Sequence, residues 1–214
     1  MTSVKIDPEL IKRTTDFHGH WCPGLAIGIR AAELALKEIG KAPDEEIVAV
    51  VETDMCAVDA IQYLTGCTFG KGNLIYKDYG KNAFNFYRRS DGKAIRLVTR
   101  PYSIGGSGCS SSTSGDTGSL MNKLHKKLLE EGLTDEEQKL WQETRAAVSQ
   151  RIMESPLEDL FEIKTPSDPE PKKARILASL ICESCGESVM ETRTKRFHGR
   201  TLCIQCFEAV EKRH

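Results

Sequence analysis

Two sets of sulfur and nitrogen side chains could do chemistry in this chain. The first is Cys182-x2-Cys185 followed, after seventeen residues, by Cys203-x2-Cys206. Each pair sets two thiolates within reach of one tetrahedral ion, and the gap is long enough for a hairpin to join the pairs. A segment of about forty residues has too little core to fold alone, so a Zn2+ ion there would hold it together. Four thiolates close the coordination sphere. Such a site explains a fold and not a reaction.

The second set is Phe17-His18-Gly19-His20-Trp21-Cys22-Pro23-Gly24. Read as an extended stretch, it points His18, His20 and Cys22 to one side. Two imidazoles and a thiol form a set of soft metal ligands. Cys22 also stands just before a helix, where free N–H groups and the helix dipole favour a thiolate. Cys56 repeats that arrangement, between a buried strand and a second helix. Paired helix beginnings at the end of that strand would gather His18, His20, Cys22 and Cys56 into one pocket, with Asp54 and Asp59 nearby. The pocket is the expected place for a second metal ion.

Cys67-Thr-Phe-Gly70-Lys71-Gly72 adds a third thiol and a glycine-flanked lysine. Such a loop could offer N–H groups and one cation to an anionic ligand, so Cys67 and Lys71 are ligand-binding candidates. The glycines around Lys71 lack the spacing of a nucleotide fingerprint, and the Ser/Gly tract at Cys109 lacks the Gly-Lys-Ser/Thr ending of a phosphate loop. Cys109 reads as an exposed thiol, and His125 and His198 as packed residues.

The elements that must position these groups are legible in outline. Leu25, Ile29, Ala32, Leu36 and Ile39 recur in steps of three and four, which predicts a helix from Pro23 or Gly24 to Gly40. Ile47–Thr53 is a continuous β-branched run, expected as a strand buried on both faces. A short helix follows over Ala57–Thr65. Strand-like runs then cover Asn73–Tyr79, Asn82–Arg89 and Ala94–Thr99, with Asp91-Gly92 as a hairpin turn. Residues 103–119 are nearly all Gly, Ser and Thr and read as a mobile loop. Helices are expected over Leu120–Glu131 and Asp135–Met153, the second opened by a Thr134–Glu137 capping box.

The fold class is therefore α+β. A helix-strand-helix-three-strand meander core with a mixed sheet carries extra helices and a small C-terminal four-cysteine zinc ribbon. The expected division is a core over 1–155, a proline-containing linker over 156–175 and the ribbon over 176–214.

Bulk composition narrows the function. The 214 residues carry 30 Lys+Arg against 31 Asp+Glu, so the whole chain has no strong field for nucleic acid or a membrane. The apolar runs are too short to span a bilayer. Eight cysteines without an apolar N-terminal stretch suit metals or redox chemistry better than disulfides, and the expected location is the cytoplasm.

The stretches FHGHWCPGLAIG, VETDMCAVDAIQYLTGCTFGKGNL and DYGKNAFNFY resemble the family named for the E-subunit of formylmethanofuran dehydrogenase, from about Asp16 to Thr99. The tail, opening CESCGE, is similar to zinc fingers of the DksA/TraR type. The resemblance implies an α-β-α-β-β-β core, a homodimer and a histidine–cysteine pocket that can take a metal. Carried over by motif, its residues are His18, His20, Cys22, Cys56, Asp59, Cys67 and Lys71. The family name implies association with the subunits of a molybdenum or tungsten oxidoreductase, whose redox chemistry lies in other subunits.

Three functions compete. One is a metal-binding accessory protein of such an oxidoreductase. Another is an enzyme in which a metal on His18, His20 and Cys56 activates a carbonyl or water, Cys22 or Asp59 moves protons and Lys71 holds an anionic group. The third is a zinc-finger regulatory or nucleic-acid-binding protein using Arg193, Lys195, Arg196 and Arg200, although Glu183, Glu187 and Glu191 offset that charge.

Overall fold

A computed structural model describes residues 6–41, 44–101 and 115–212. The chain divides into two units, Met1–Lys173 and Ala174–His214.

The larger unit opens with a helix that the apolar spacing does not announce, α1 over Pro8–His18. Its capping signals are nevertheless present. Asp7 accepts from the Glu9 N–H at 2.8 Å, Pro8 occupies the first turn, and Gly19 closes the helix with φ of 91°. Thr14 is its one buried residue, so it carries little of the apolar stripe by which helices are usually read.

Helix α2, Pro23–Glu38, runs through the centre of the unit. It is buried on two faces rather than along one stripe. Ala26, Ile27, Ala31, Leu34 and Ala35 face the sheet, whereas Leu25, Ile29 and Ala32 pack with Ala60 and Leu64. Strand β1 is Ile47–Val51, buried throughout as its β-branched run requires. Helix α3 covers Ala57–Thr65 and ends at Gly66 in the left-handed region. Strands β2 (Leu74–Tyr76), β3 (Ala83–Arg88) and β4 (Ala94–Thr99) follow.

The sheet has the order β2-β1-β3-β4-β5. The three strands after α3 are therefore not one meander. Strand β1 lies between β2 and β3, parallel to the first and antiparallel to the second. Only β3 and β4 form a hairpin of neighbours. The sheet is mixed, as expected, and β1-α3-β2 is its parallel crossover.

Helix α4 occupies Gly115–Glu130, starting five residues before the expected Leu120. The rest of the Gly/Ser tract, with Cys109, lies outside the described residues. Helix α5, Asp135–Glu154, begins with both bonds of the Thr134–Glu137 capping box. The expected linker over 156–175 holds ordered elements instead: a short helix α6, Leu157–Leu160, and an edge strand β5, Phe161–Lys164, antiparallel to β4. Phe161 is 1% exposed and belongs to the core, which is why this stretch cannot be a free tether. Residues beyond it are tied down too, through Lys77–Asp168 and Arg89–Glu170 ion pairs.

The smaller unit contains hairpins β6–β7 (Ser179–Ile181 with Ser188–Met190) and β8–β9 (Thr194–Phe197 with Arg200–Cys203). A terminal helix α7, Ile204–Glu211, completes it. Leu202 and Cys182 are its buried residues among those described, so apolar burial contributes little to its stability.

Candidate metal centre

Three chain segments build the core cluster. The C-terminal turn of α1 delivers His18, and the left-handed Gly19 reverses the backbone so that His20 follows with its ring centroid 4.4 Å away. The histidines are therefore gathered by a helix end and a turn, not by an extended run. Cys22 is the N-cap of α2, its Sγ accepting from the Leu25 N–H at 3.3 Å. Cys56 stands at the same position before α3, without a side-chain capping bond.

Two glycines let α3 approach α2. A Cβ on Gly24 would stand 3.1 Å from Cys56 Cβ, and one on Gly28 would stand 2.3 Å from the Ala57 carbonyl oxygen. With both side chains absent, the two helix N-termini meet and Cys22 and Cys56 share one space.

One ligand atom from each of His18, His20, Cys22 and Cys56 lies within 4.8 Å of the other three. Two imidazole nitrogens and two thiols at this separation are an N2S2 donor set of the kind that suits zinc and similar divalent ions. The Asp59 carboxylate accepts from or pairs with His18 Nδ1 at 2.7 Å, leaving Nε2 facing Cys22 Sγ at 3.9 Å. A carboxylate on one ring nitrogen fixes the tautomer and leaves the other nitrogen's lone pair for a metal. Burial, together with His18 and Arg145, holds His20 below the ordinary histidine range, so it keeps a free lone pair at neutral pH. Burial and the neighbouring Cys22 push the Cys56 thiol up. A divalent cation between these sulfurs would reverse that, since it favours thiolates in a space where two anions otherwise repel.

The remaining candidates fall elsewhere. Cys67 is 1% exposed, sits in the main core and directs its Sγ to the Ile47 carbonyl at 3.5 Å. Burial pushes its thiol up, as befits an inert core cysteine. Lys71 is exposed on its loop and is not among the residues that line the cavity beside the cluster. The loop's contribution is Phe69, which lines a cavity of about 490 Å³ beside the cluster.

That cavity opens at the carboxyl ends of the parallel strands β1 and β2, the usual crevice of parallel sheets. His18, Cys56 and Asp59 form its boundary with the four-donor cluster; Val51, Thr53, Leu74 and Tyr76 come from the strand ends. Leu74 and Tyr76 had no signal in the sequence, because only the β1–β2 pairing places them here.

In the smaller unit, Cys182, Cys185, Cys203 and Cys206 bring their sulfurs within 4.8 Å of one another. The N–H of Cys203 donates to Cys182 Sγ at 3.3 Å, and that of Cys206 to Cys203 Sγ at 3.4 Å. Donation from the Cys185, Cys203 and Ser184 backbones brings the Cys182 thiol down to about 6, so a thiolate is ready for metal at neutral pH.

Comparison with known proteins agrees with both units. Residues 17–162 match the family described as FmdE, molybdenum formylmethanofuran dehydrogenase operon. The chain belongs to the FmdE family. Residues 175–212 of this FmdE-family chain match the prokaryotic DksA/TraR C4-type zinc finger, so its C-terminal unit is a metal-binding zinc finger. A protein of Archaeoglobus fulgidus named as a probable S-adenosyl-L-methionine-binding protein is 33% identical over 207 residues, covering 92% of this chain. The chain spans 52%, about half, of that relative, whose name describes the whole protein.

A crystal structure of an FmdE-like protein of tungsten formylmethanofuran dehydrogenase, from Syntrophus aciditrophicus, is similar to this FmdE-family chain with a TM-score of 0.60. It is 24% identical and covers 99% of this chain and 100% of its own, which shows the shared fold. Among the described residues, no helix is long and apolar enough to cross a membrane.

Proposed function

We propose that this FmdE-family chain is a metal-binding accessory protein that holds a second ion on His18, His20, Cys22 and Cys56. The supporting observation is the convergence of four donor atoms within 4.8 Å, with Asp59 already bonded to the far nitrogen of His18. When bound there, the ion would supply Lewis acidity. The chain's own residues set its terms: Cys22 and Cys56 provide the negative charge, His20 stays neutral, and Asp59 keeps the proton on His18 Nδ1.

A broader assignment extends this reading. The chain acts in the cytoplasm as a homodimer that associates with subunits of a molybdenum or tungsten oxidoreductase, the zinc finger serving as a docking element. The family's description supports this association.

Metal analysis of the purified full chain tests the core of the proposal. Each four-ligand cluster should return one ion, and Cys56→Ser should lose the core ion while retaining the zinc-finger ion. Equal metal content in the wild type and Cys56→Ser would overturn the second site. Copurification with a molybdopterin or tungstopterin subunit tests the association, and its absence from native complexes would remove that part.

The cavity against His18, Cys56 and Asp59 favours a second reading, a metal-dependent enzyme. A molecule in the cavity would lie beside the ion, with Asp59 and Cys22 positioned to hold or pass a proton. Turnover that survives Cys56→Ser would exclude this reading.

A further inference from the structure

The cavity beside the four-ligand cluster has a wall whose charge and composition select one class of small molecule. Val51, Thr53 and Leu74 are buried and form its floor, whereas Met55, Phe69 and Tyr76 are exposed at its rim. Its ionised lining groups are Asp54 and Asp59, and no lysine or arginine among the described residues lines it. Of the basic residues close to it in the chain, Lys77 pairs with Asp168, and Lys71 is exposed and outside the lining. The Tyr76 phenol is pushed up chiefly by its hydrogen bond to Asp78, and the charge of Asp54 adds to this, in keeping with a negative rim.

The sequence expectation of an anionic ligand held by Lys71 does not suit this wall. An ion in the neighbouring cluster would not change the sign. A divalent cation shared by two thiolates and two neutral imidazoles carries no net charge, so Asp54 and Asp59 still set the field.

We propose that the cavity binds an organic cation bearing a flat apolar group. The apolar part rests on Val51 and Leu74 with Phe69 at its edge, and the cationic head lies toward Asp54 beside the rings of Phe69 and Tyr76. A cavity of about 490 Å³ whose surface is mainly apolar has the dimensions of a small-molecule site. Aromatic faces and a carboxylate at the rim both favour a desolvated cation over a neutral or anionic molecule of the same shape. The proposal goes beyond the metal reading and does not depend on it.

Isothermal titration calorimetry of the full chain tests it, with trimethylphenylammonium as probe and benzenesulfonate and tert-butylbenzene as anionic and neutral counterparts. The cation should bind and the sulfonate should not. Asp54→Asn should weaken cation binding about threefold, as expected for an exposed charge pair. Phe69→Ala should have a similar effect, and the double variant should lose about tenfold. Both positions are exposed, so these variants keep the fold, which thermal unfolding would check. Equal binding of the sulfonate or the neutral isostere would overturn the proposal. So would unchanged affinity in both variants, or no heat from the cation at millimolar concentration. Metal content measured on the same samples separates the two readings, because the cation can bind without a core ion, and a core ion can be present without cation binding.

Discussion

Gly28 on α2 faces the backbone of Ala57 at the start of α3, where an added Cβ would stand 2.3 Å from the carbonyl oxygen and 2.6 Å from Cα. No side chain can be tolerated at that crossing without moving a helix, because the obstacle is backbone and not a flexible side-chain end. Closeness at Gly28 is what allows Cys56 to stand beside Gly24 one turn earlier and beside Cys22 at the start of α2.

Gly28→Ala is the direct test of that relationship. Alanine favours a helix over glycine by about 1 kcal/mol, so propensity alone predicts a gain. Overpacking costs about 1 to 3 kcal/mol, with the upper end expected for contact with backbone. The clash wins. The variant should melt at a lower temperature and lose core metal affinity while its zinc-finger ion stays. Wild-type metal content together with raised stability would show that the helices are not held this close.

Asp59 bonds His18 and is not one of the four clustered donors. Asp59→Asn should preserve the fold, since its carboxylate is partly exposed, yet reduce core metal affinity by about 10- to 100-fold. Competition with a chromogenic chelator measures this. His18→Ala should be more severe, because it removes a donor rather than its orientation.

Cys67 and Cys56 separate a core thiol from a ligand. Cys67→Ala removes a buried sulfur and should cost about 1 kcal/mol by chemical denaturation, with metal content unchanged. Cys56→Ser should do the reverse, changing metal content far more than the stability of the apo protein.

Acid sensitivity should be traceable to Glu52. Its carboxylate receives Arg96 Nε at 2.9 Å, Arg96 Nη2 at 2.8 Å and Asn85 Nδ2 at 3.0 Å, on the sheet face opposite the main core. Arg96 above all, with help from Asn85 and against the effect of burial, holds this carboxyl below its ordinary 4.5. A depressed folded value means stability that is full above 4.5 and is lost as pH falls through the folded value. Glu52→Gln should cost about 1 to 3 kcal/mol at neutral pH, since it leaves the half-buried Arg96 without the carboxylate it bonds. The gap between variant and wild type should narrow as the pH drops below 4.5, read by urea denaturation.

Chelation should uncouple the two units. Stripping zinc from Cys182, Cys185, Cys203 and Cys206 should unfold 174–212, where little apolar surface is buried. Hydrogen exchange should show lost protection there while α2, β1 and β3 remain protected. Full protection of the small unit without metal would mean that its hairpins are stable unaided.

Much of this protein was legible from local signals. The spacing of the last four cysteines named the zinc finger, because tetrahedral coordination depends on separations that the chain itself displays. The capping box at Thr134 and the helix over Ala57–Thr65 appeared where short-range rules place them, and Cys22 and Cys56 could be placed before helices for the same reason. Helix α1 was written just as locally, in Asp7-Pro8 and Gly19, but it lacks the apolar stripe on which periodicity depends.

Strand pairing and helix approach were decided only by the tertiary structure. Nothing near Leu74 tells whether β2 lies beside β1 or β3, since pairing depends on contacts far apart in the chain. That choice puts Tyr76 and Phe69 at the cavity, while the fold buries Cys67 against Ile47 and adds β5 as an edge strand in what looked like a linker. The bond from His18 to Asp59 joins residues 41 positions apart, and it exists because α1 packs against α3. Local chemistry therefore identified the donor atoms, and packing determined which of them meet.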